Sequence, residues 1–513
     1  MKKIIKGICL ALAATSVLSG CSGLGLTKKS SKSEKITAWM TLGSNAKTLV
    51  SNLAETPMGK AWCEATGVDV EFVHAQDADQ FNLMLASNDL TDIIETNWTT
   101  FPGGPEAALK NNQIIPLNDL IDKHAPNLKK FLAENEEIDK ACKTDDGTYY
   151  MFPFVRNDEK LLISTGPIVR KDWIEELGLS MPETIDDWET MLRAFKEKKG
   201  AKSPLTVSGS TAMLSVGMFS GAYGAPKAFF HDNGMVKYGP VTDGYKECLM
   251  TLNRWYEEGL LDRNFVGLDG KVMDTNILTG NSGATLGAVG GGIGKWMGSA
   301  TEEGFALTGA KYPVLNKGEK SNYSALQNRV PGTGASISSK CKDVESAVKF
   351  LDYCYSEEGH MLMNFGIEGE SYKMVDGYPE YTELITKNSE GYTMANMLGI
   401  YTRTSITGAF EQDARYIEQY ASLDVQQEAL ANWSDTDAAS HLLPTVTPSS
   451  EESQELSKII NECNTYEEEM TIAFIMGKKS FDEWDAYVSQ MKELGIERAI
   501  EIYQNAYDRY MKR

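Results

Sequence analysis

From residue 34 onward the chain alternates short apolar strands with amphipathic helices, and this alternation restricts the fold more than any other feature. Residues 35–40 (Lys-Ile-Thr-Ala-Trp-Met) read as a strand, 56–66 as a helix stopped by Gly67, and 68–74 as a second strand. Residues 77–88 carry a helical pattern and 91–96 a third strand. Strand and helix lengths of this kind require right-handed crossovers and a parallel sheet. Ligands of such sheets sit beyond the carboxyl ends of the strands, so the segments after Met40 and Thr96 become candidate sites.

A second unit follows residues 149–153 (Tyr-Tyr-Met-Phe-Pro), with an apolar strand at 161–163 and a helix at 185–196. Thr184 and Asp187 have the capping-box spacing at the start of that helix, and Ile185, Trp188, Leu192 and Phe195 share one face. Further helical patterns occupy 246–258, 344–355, 481–494 and 496–510. The Gly-rich stretch 283–296 lacks both GxxxxGK[ST] and an ordered GxGxxG, so it reads as a strand at 284–289 leading into a helix that presents Trp296. The expected fold class is α/β with two lobes, each a mixed, mainly parallel sheet flanked by helices.

The N-terminus places this chain outside the cytoplasm. Met1-Lys2-Lys3, an apolar run over 7–18 and Leu18-Ser19-Gly20-Cys21 form a secretory signal over 1–20 that ends in a lipobox; the run is too short to span a bilayer. Cys21 is the expected lipid attachment point, and 22–34, rich in Lys and Ser, is the expected flexible tether. The net charge of −22 over 513 residues argues against nucleic acid or anionic lipid as partner. Beyond Cys9 and Cys21, the six cysteines form no CxxC pair, so no metal site is expected. The five histidines fall in no HExxH spacing and no GxSxG occurs at a strand-to-helix turn; with 72 acidic residues, a carboxylate pair carries no information. The reading is a binder with no cofactor, not an enzyme.

Several segments carry a resemblance. They are Asp145-Asp-Gly-Thr-Tyr-Tyr-Met-Phe-Pro153, Val169-Arg-Lys-Asp-Trp-Ile-Glu-Glu-Leu-Gly178, Lys237-Tyr-Gly-Pro240 and Tyr353-Cys-Tyr-Ser-Glu-Glu-Gly359. Phe365-Gly-Ile-Glu-Gly-Glu-Ser-Tyr372 and Ile475-Met-Gly-Lys-Lys-Ser-Phe-Asp-Glu-Trp484 complete the set. Together they resemble the extracellular solute-binding protein family 1, in its long lipoprotein branch associated with oligosaccharide and aldouronate-type ABC importers. The resemblance implies a type II periplasmic-binding-protein-like fold that closes by hinge bending on an oligosaccharide or similar solute, with permease subunits as partners. It also implies a monomer anchored by lipid to the outer face of the cell membrane. A sugar-sensing lipoprotein partnering a membrane receptor is the alternative, and a secreted glycan-active enzyme a remoter one. By analogy the first lobe takes 35–155 and about 325–393, and the second 156–324 and about 394–513. Some relatives carry a calcium loop after the helix at 185–196; here Lys198, Lys199 and Lys202 stand in that region, so that site is not carried over.

Sugars offer CH faces to aromatic rings and hydroxyls to planar polar groups. Chain position selects Trp98, Tyr150, Phe152, Arg156, Tyr223 and Trp296 as ligand contacts, with Trp98 and Trp296 expected as opposing cleft walls. Arg329, Arg403, Trp39 and Tyr372 are further candidates. Trp173, Trp188, Trp255 and Trp484 lie in or beside amphipathic helical patterns and read as core.

Overall fold

The computed structural model describes residues 35–75 and 79–513; the signal segment, Cys21 and the tether expected from the sequence lie outside the described residues. The first three strands are β1 (Ile36–Trp39), β2 (Val70–Val73) and β3 (Ile93–Asn97), and both neighbours run parallel to β1, with Ile36 opposite Val70 and Ala38 opposite Ile93. The intervening helix Pro57–Thr66 starts where the Thr56 hydroxyl accepts from the Gly59 amide, with proline in its first turn, and stops at Gly67, whose φ of 66° suits glycine. The chain then reaches β4 (Phe152–Pro153), β5 (Val155–Arg156) and β6 (Thr165–Arg170). The strand expected at 161–163 is instead a 3-10 turn, Glu159–Leu161, and pairing begins at Thr165.

The capping box of Thr184 and Asp187 is present, and the helix it starts, Ile185–Lys198, buries Ile185, Trp188, Met191, Leu192 and Phe195. A hairpin of β7 (Phe229–Asp232) and β8 (Met235–Tyr238) precedes β9 (Ala284–Ala288), which enters a π-helical turn, Val289–Gly294, and the helix Lys295–Ser299. Strand β10 (Leu307–Gly309) closes a second sheet in the order β10-β6-β9. Its three strands run antiparallel, because β9 and β10 reach β6 after long excursions and not through single helical crossovers; isolated parallel bridges join Leu205 to Ala284 of β9 and to Leu261.

Strand β11 (Thr333–Ile337) returns to the first sheet and inserts antiparallel between β3 and β4, giving β2-β1-β3-β11-β4. A second hairpin, β12 (Tyr372–Val375) with β13 (Tyr378–Tyr381), comes before β14 (Glu411–Gln412), which lies parallel to β5 with Gln412 opposite Arg156. Each sheet has its own core. Trp62, Phe72, Trp98, Phe152 and Phe350 belong to the first, and Trp173, Trp188, Phe219, Trp255 and Trp484 to the second. The four tryptophans read as core from helical patterns are all buried.

The chain passes between the two sheets in three adjacent segments. Phe154 donates to the Thr333 carbonyl at 2.9 Å, Arg156 to the Arg329 carbonyl at 2.9 Å, and Val155 to the Phe410 carbonyl at 3.0 Å. The helix Met394–Tyr401 packs with Phe365, Tyr372 and Ile385, and Arg403 reaches Glu95 of β3. Residues 394–403 thus side with the first sheet, and the last passage runs at Glu411–Gln412. Among the described residues no helix is long and apolar enough to cross a membrane.

Candidate functional site

A cavity of about 240 Å³ lies beside the first and third crossings. Its floor is Arg156 and Gln412, one wall is the loop 404–407, and the other is Lys160, Ser164 and Tyr416. Each part is held by identifiable contacts. The loop follows Arg403, whose Nη2 lies 2.8 Å from both carboxylate oxygens of Glu95; Glu95 Oε1 also accepts from the Thr41 amide at 3.2 Å. One buried carboxylate therefore ties the loop to β3 and to the turn after β1. A Cβ on Gly43, in that turn, would stand 2.9 Å from Ile406, so the turn and the loop are in contact.

The opposite wall is the helix Ala414–Tyr420, capped by Asp413, which accepts from the Arg415 amide at 2.8 Å. Burial pushes the Asp413 carboxyl up, but hydrogen bonds from His360 and Arg415 outweigh it and hold it well below the usual carboxylate range. Asn364 fixes the approach to this helix, donating to the Glu411 carbonyl and accepting from the Asp413 amide, each at 2.9 Å. Tyr416 and Tyr420, one turn apart, are half-buried with ring centroids 6.4 Å apart. Tyr420 covers Gly290 so closely that a Cβ there would overlap its ring. Lys160 pairs with Glu418 at 2.5 Å. Polar planar groups, hydroxyls and a partly open ring around a cavity are what a sugar ring requires.

A larger cavity, about 600 Å³, flanks the crossing at 326–330, against the helix Glu136–Ala141 and residues 434–445. Size favours it as a binding site. Position favours the smaller one, whose wall loop is tied through Arg403 to Glu95 of β3 and touches the turn after β1, and whose floor takes Arg156 and Gln412 from two of the crossings.

Of the residues selected from sequence, only Arg156 lines the smaller cavity. Trp98 is fully buried, tilted against Phe101 at 5.2 Å, and its Nε1 donates to the Gly334 carbonyl. Trp296 is equally buried, its Nε1 donating to Asp274 at 2.7 Å and its ring filling the space left by Gly287 and Gly292. Neither ring presents a face to a cleft in this conformation. Both follow strand ends, as expected, but each turns inward, where the indole fills its own core and its N–H finds an internal acceptor.

Tyr150 and Phe152 are buried in the first core, and Trp39, 9% exposed, packs on Phe81 at 5.7 Å. Tyr372 is buried against Phe365, and Tyr223 bonds Thr251 at 2.8 Å. Arg329 lines the larger cavity and bonds the Asn157 carbonyl, and Arg403 is spent on Glu95. Sequence reasoning missed Gln412, Tyr416 and the 404–407 loop. The signal for Tyr416 was present in the Asp413 cap followed by tyrosines four apart. Among the described residues no three His, Cys, Asp or Glu side chains converge as metal ligands.

Two sheets with separate cores, three adjacent crossings and a cavity at those crossings define a two-lobed protein of the type II periplasmic binding class, which closes on solutes by hinge bending. The chain belongs to the bacterial extracellular solute-binding protein family, whose family model matches residues 47–361. It is 24% identical over 492 residues to the fructooligosaccharide ABC transporter substrate-binding protein FusA of Streptococcus pneumoniae serotype 4, covering 87% of this chain and 85% of FusA. To the lipoprotein LipO of Bacillus subtilis it is 24% identical over 341 residues, covering 63% of this chain and 65% of LipO. Among solved structures it is similar to the alginate-binding protein AlgQ2 without calcium ion, with a TM-score of 0.74, 25% identity and coverage of 92% of this chain and 97% of that one.

Proposed function

We propose that this chain is the substrate-binding lipoprotein of an ABC importer, and that it captures an oligosaccharide between its lobes. The observation that carries the reading is the cavity at the crossings, where side chains from both walls meet residues of the hinge itself. Relatives named for oligosaccharides and polysaccharides support the ligand class: FusA, AlgQ2 and the polygalacturonan/rhamnogalacturonan-binding protein YtcQ of Bacillus subtilis. On this reading residues 35–155 with about 325–410 form one lobe and 156–324 with about 411–513 the other, and the packing of Met394–Tyr401 with Phe365, Tyr372 and Ile385 supports a last boundary beyond 393. Ligand bridging the cavity selects the closed arrangement by contacting both lobes at once. Cys21 anchors the chain to the outer face of the membrane, where it hands solute to permease subunits and performs no chemistry of its own.

The test is a thermal-shift screen of the purified protein against oligosaccharides, with solution scattering on any that bind. Ligand that binds only the native state raises the melting temperature by mass action, and hinge closure reduces the radius of gyration. Absence of a shift with every saccharide, or cleavage of one by the pure protein, overturns the proposal.

A further inference from the structure

Away from the three crossings, the two cores also meet where the chain does not pass between them. The helix Ile496–Tyr510 sets Ile496, Ala499 and Ile502 into the second core, yet its far end reaches residues 140–145, which follow Ile138 of the first. Asp145 is the centre of this contact. Its Oδ1 accepts from Arg513 Nη2 at 2.6 Å and from Nε at 3.1 Å, and its Oδ2 accepts from Arg509 Nε. Arg509 also donates to Glu452 Oε2 at 2.6 Å, and Arg513 donates to the Lys143 carbonyl and the Thr447 hydroxyl, each at 2.5 Å. The Lys140 ammonium lies 4.6 Å from the centroid of the Tyr510 ring. The side chains of Asp145 and Arg513 are 18% and 7% exposed, so water screens their attraction far less than that of a surface pair.

The crossings form a ribbon in the order third, first, second: Val155 bonds Phe410 on one side, and Phe154 and Arg156 bond Thr333 and Arg329 on the other. Residues 443–447 extend this ribbon past the second crossing, with Asn328 donating to the Leu443 carbonyl at 3.0 Å and Thr445 to the Val330 carbonyl at 2.5 Å. Thr447 then meets Arg513. The smaller cavity takes Arg156 and Gln412 from the first and third crossings, so cavity and ion cluster stand at opposite edges of the ribbon. We propose that Asp145, Arg509 and Arg513 form a brace that opposes closure of the lobes and so sets ligand affinity from outside the binding site. Drawing the lobes together at one edge of a hinged ribbon displaces them at the other, and forked arginine–carboxylate bonds tolerate little displacement. A ligand that selects the closed arrangement must supply the free energy by which the brace favours the open one. Removing the brace therefore tightens binding.

This inference rests on the oligosaccharide-binding reading, and the experiment separates the two. The full-length protein and its variants are titrated by calorimetry with kestose, an alginate trimer and a galacturonate trimer. Asp145→Asn is expected to bind whichever of these the parent binds about threefold or more tightly than the parent does. Arg513→Gln is expected to act in the same direction and provides the readout if the asparagine variant does not fold. Arg498→Gln is the control, because its partners Glu455 and Glu501 lie on helices of the second core; it is expected to stay within about twofold of the parent. A merely structural role for the cluster would leave affinity unchanged or weaken it. Either brace variant, folded, binding no more tightly than the parent, or an equal gain in Arg498→Gln, overturns the inference and leaves the oligosaccharide reading standing. Failure of all three saccharides to bind the parent overturns both.

Discussion

Arg403 and Glu95 form an ion pair closed to solvent, with Nη2 2.8 Å from Oε1 and the two side chains 1% and 2% exposed. The residues are 308 positions apart, and their pairing joins the loop after the helix Met394–Tyr401 to the middle of β3. Removing one partner leaves a buried charge alone, so Arg403→Ala is expected to lose about 3–5 kcal/mol of folding stability. Combining Glu95→Gln with Arg403→Met is expected to cost less than the sum of the two single changes, as a double-mutant cycle in urea would report.

Trp98 and Trp296 behave as core residues. Each is expected to lose about 3–5 kcal/mol of stability on replacement by alanine, because the substitution empties buried volume and breaks the hydrogen bond of the indole N–H. Urea melts decide the matter: a wall residue would instead keep its stability and weaken ligand binding alone.

Tyr416 presents a half-buried ring beside Arg156. Tyr416→Ala is expected to weaken oligosaccharide binding by roughly 1–2 kcal/mol, or about five- to thirtyfold in Kd, while Tyr416→Phe keeps most of the affinity. Calorimetry with the ligand identified by the thermal screen provides the number. Equal losses in both variants would assign the effect to the hydroxyl and not to ring stacking.

His74 gives stability a pH dependence of known sign. Burial first, and then Arg403 nearby, push its pKa below the ordinary histidine value, against the opposing effect of its bond to the Met40 carbonyl. Nδ1 lies 2.8 Å from that carbonyl, and Nε2 accepts from the Leu53 amide at 3.1 Å, so the neutral ring is fully used and a second proton would break the latter bond. The unfolded chain binds a proton near pH 6.5 and the folded chain resists it, so this contribution is complete above about pH 6.5 and declines as pH falls toward the lower folded value. His74→Gln is expected to show a smaller drop in melting temperature between pH 7.5 and 5.5 than the parent.

Cys21→Ala is expected to yield a folded protein that carries no lipid and washes off membranes, since no helix among the described residues can span a bilayer. Membrane partition unchanged after detergent-free washing would place the anchor elsewhere.

The sequence by itself determined the local elements and the class. The capping box at Thr184, the stop at Gly67 and the inward faces of Trp188 and Trp255 are set by residues within a turn or two of each other, and the structure holds them as read. The strand–helix alternation indicated α/β units, and the motifs over 145–178 and 353–372 carried the two-lobed fold through their resemblance to the family. What only the tertiary structure decided was which side chains meet at the crossings. Whether Trp98 faced a cleft or a core depended on Gly334 and Phe101, the first of them 236 residues away. Arg156 became the unpaired cation of the site, and Arg403 a buried strut, because Glu95 lies within reach of Arg403 and no carboxylate among the described residues answers Arg156. Pairings at such separations are fixed by how whole elements pack, and no spacing along the chain encodes them.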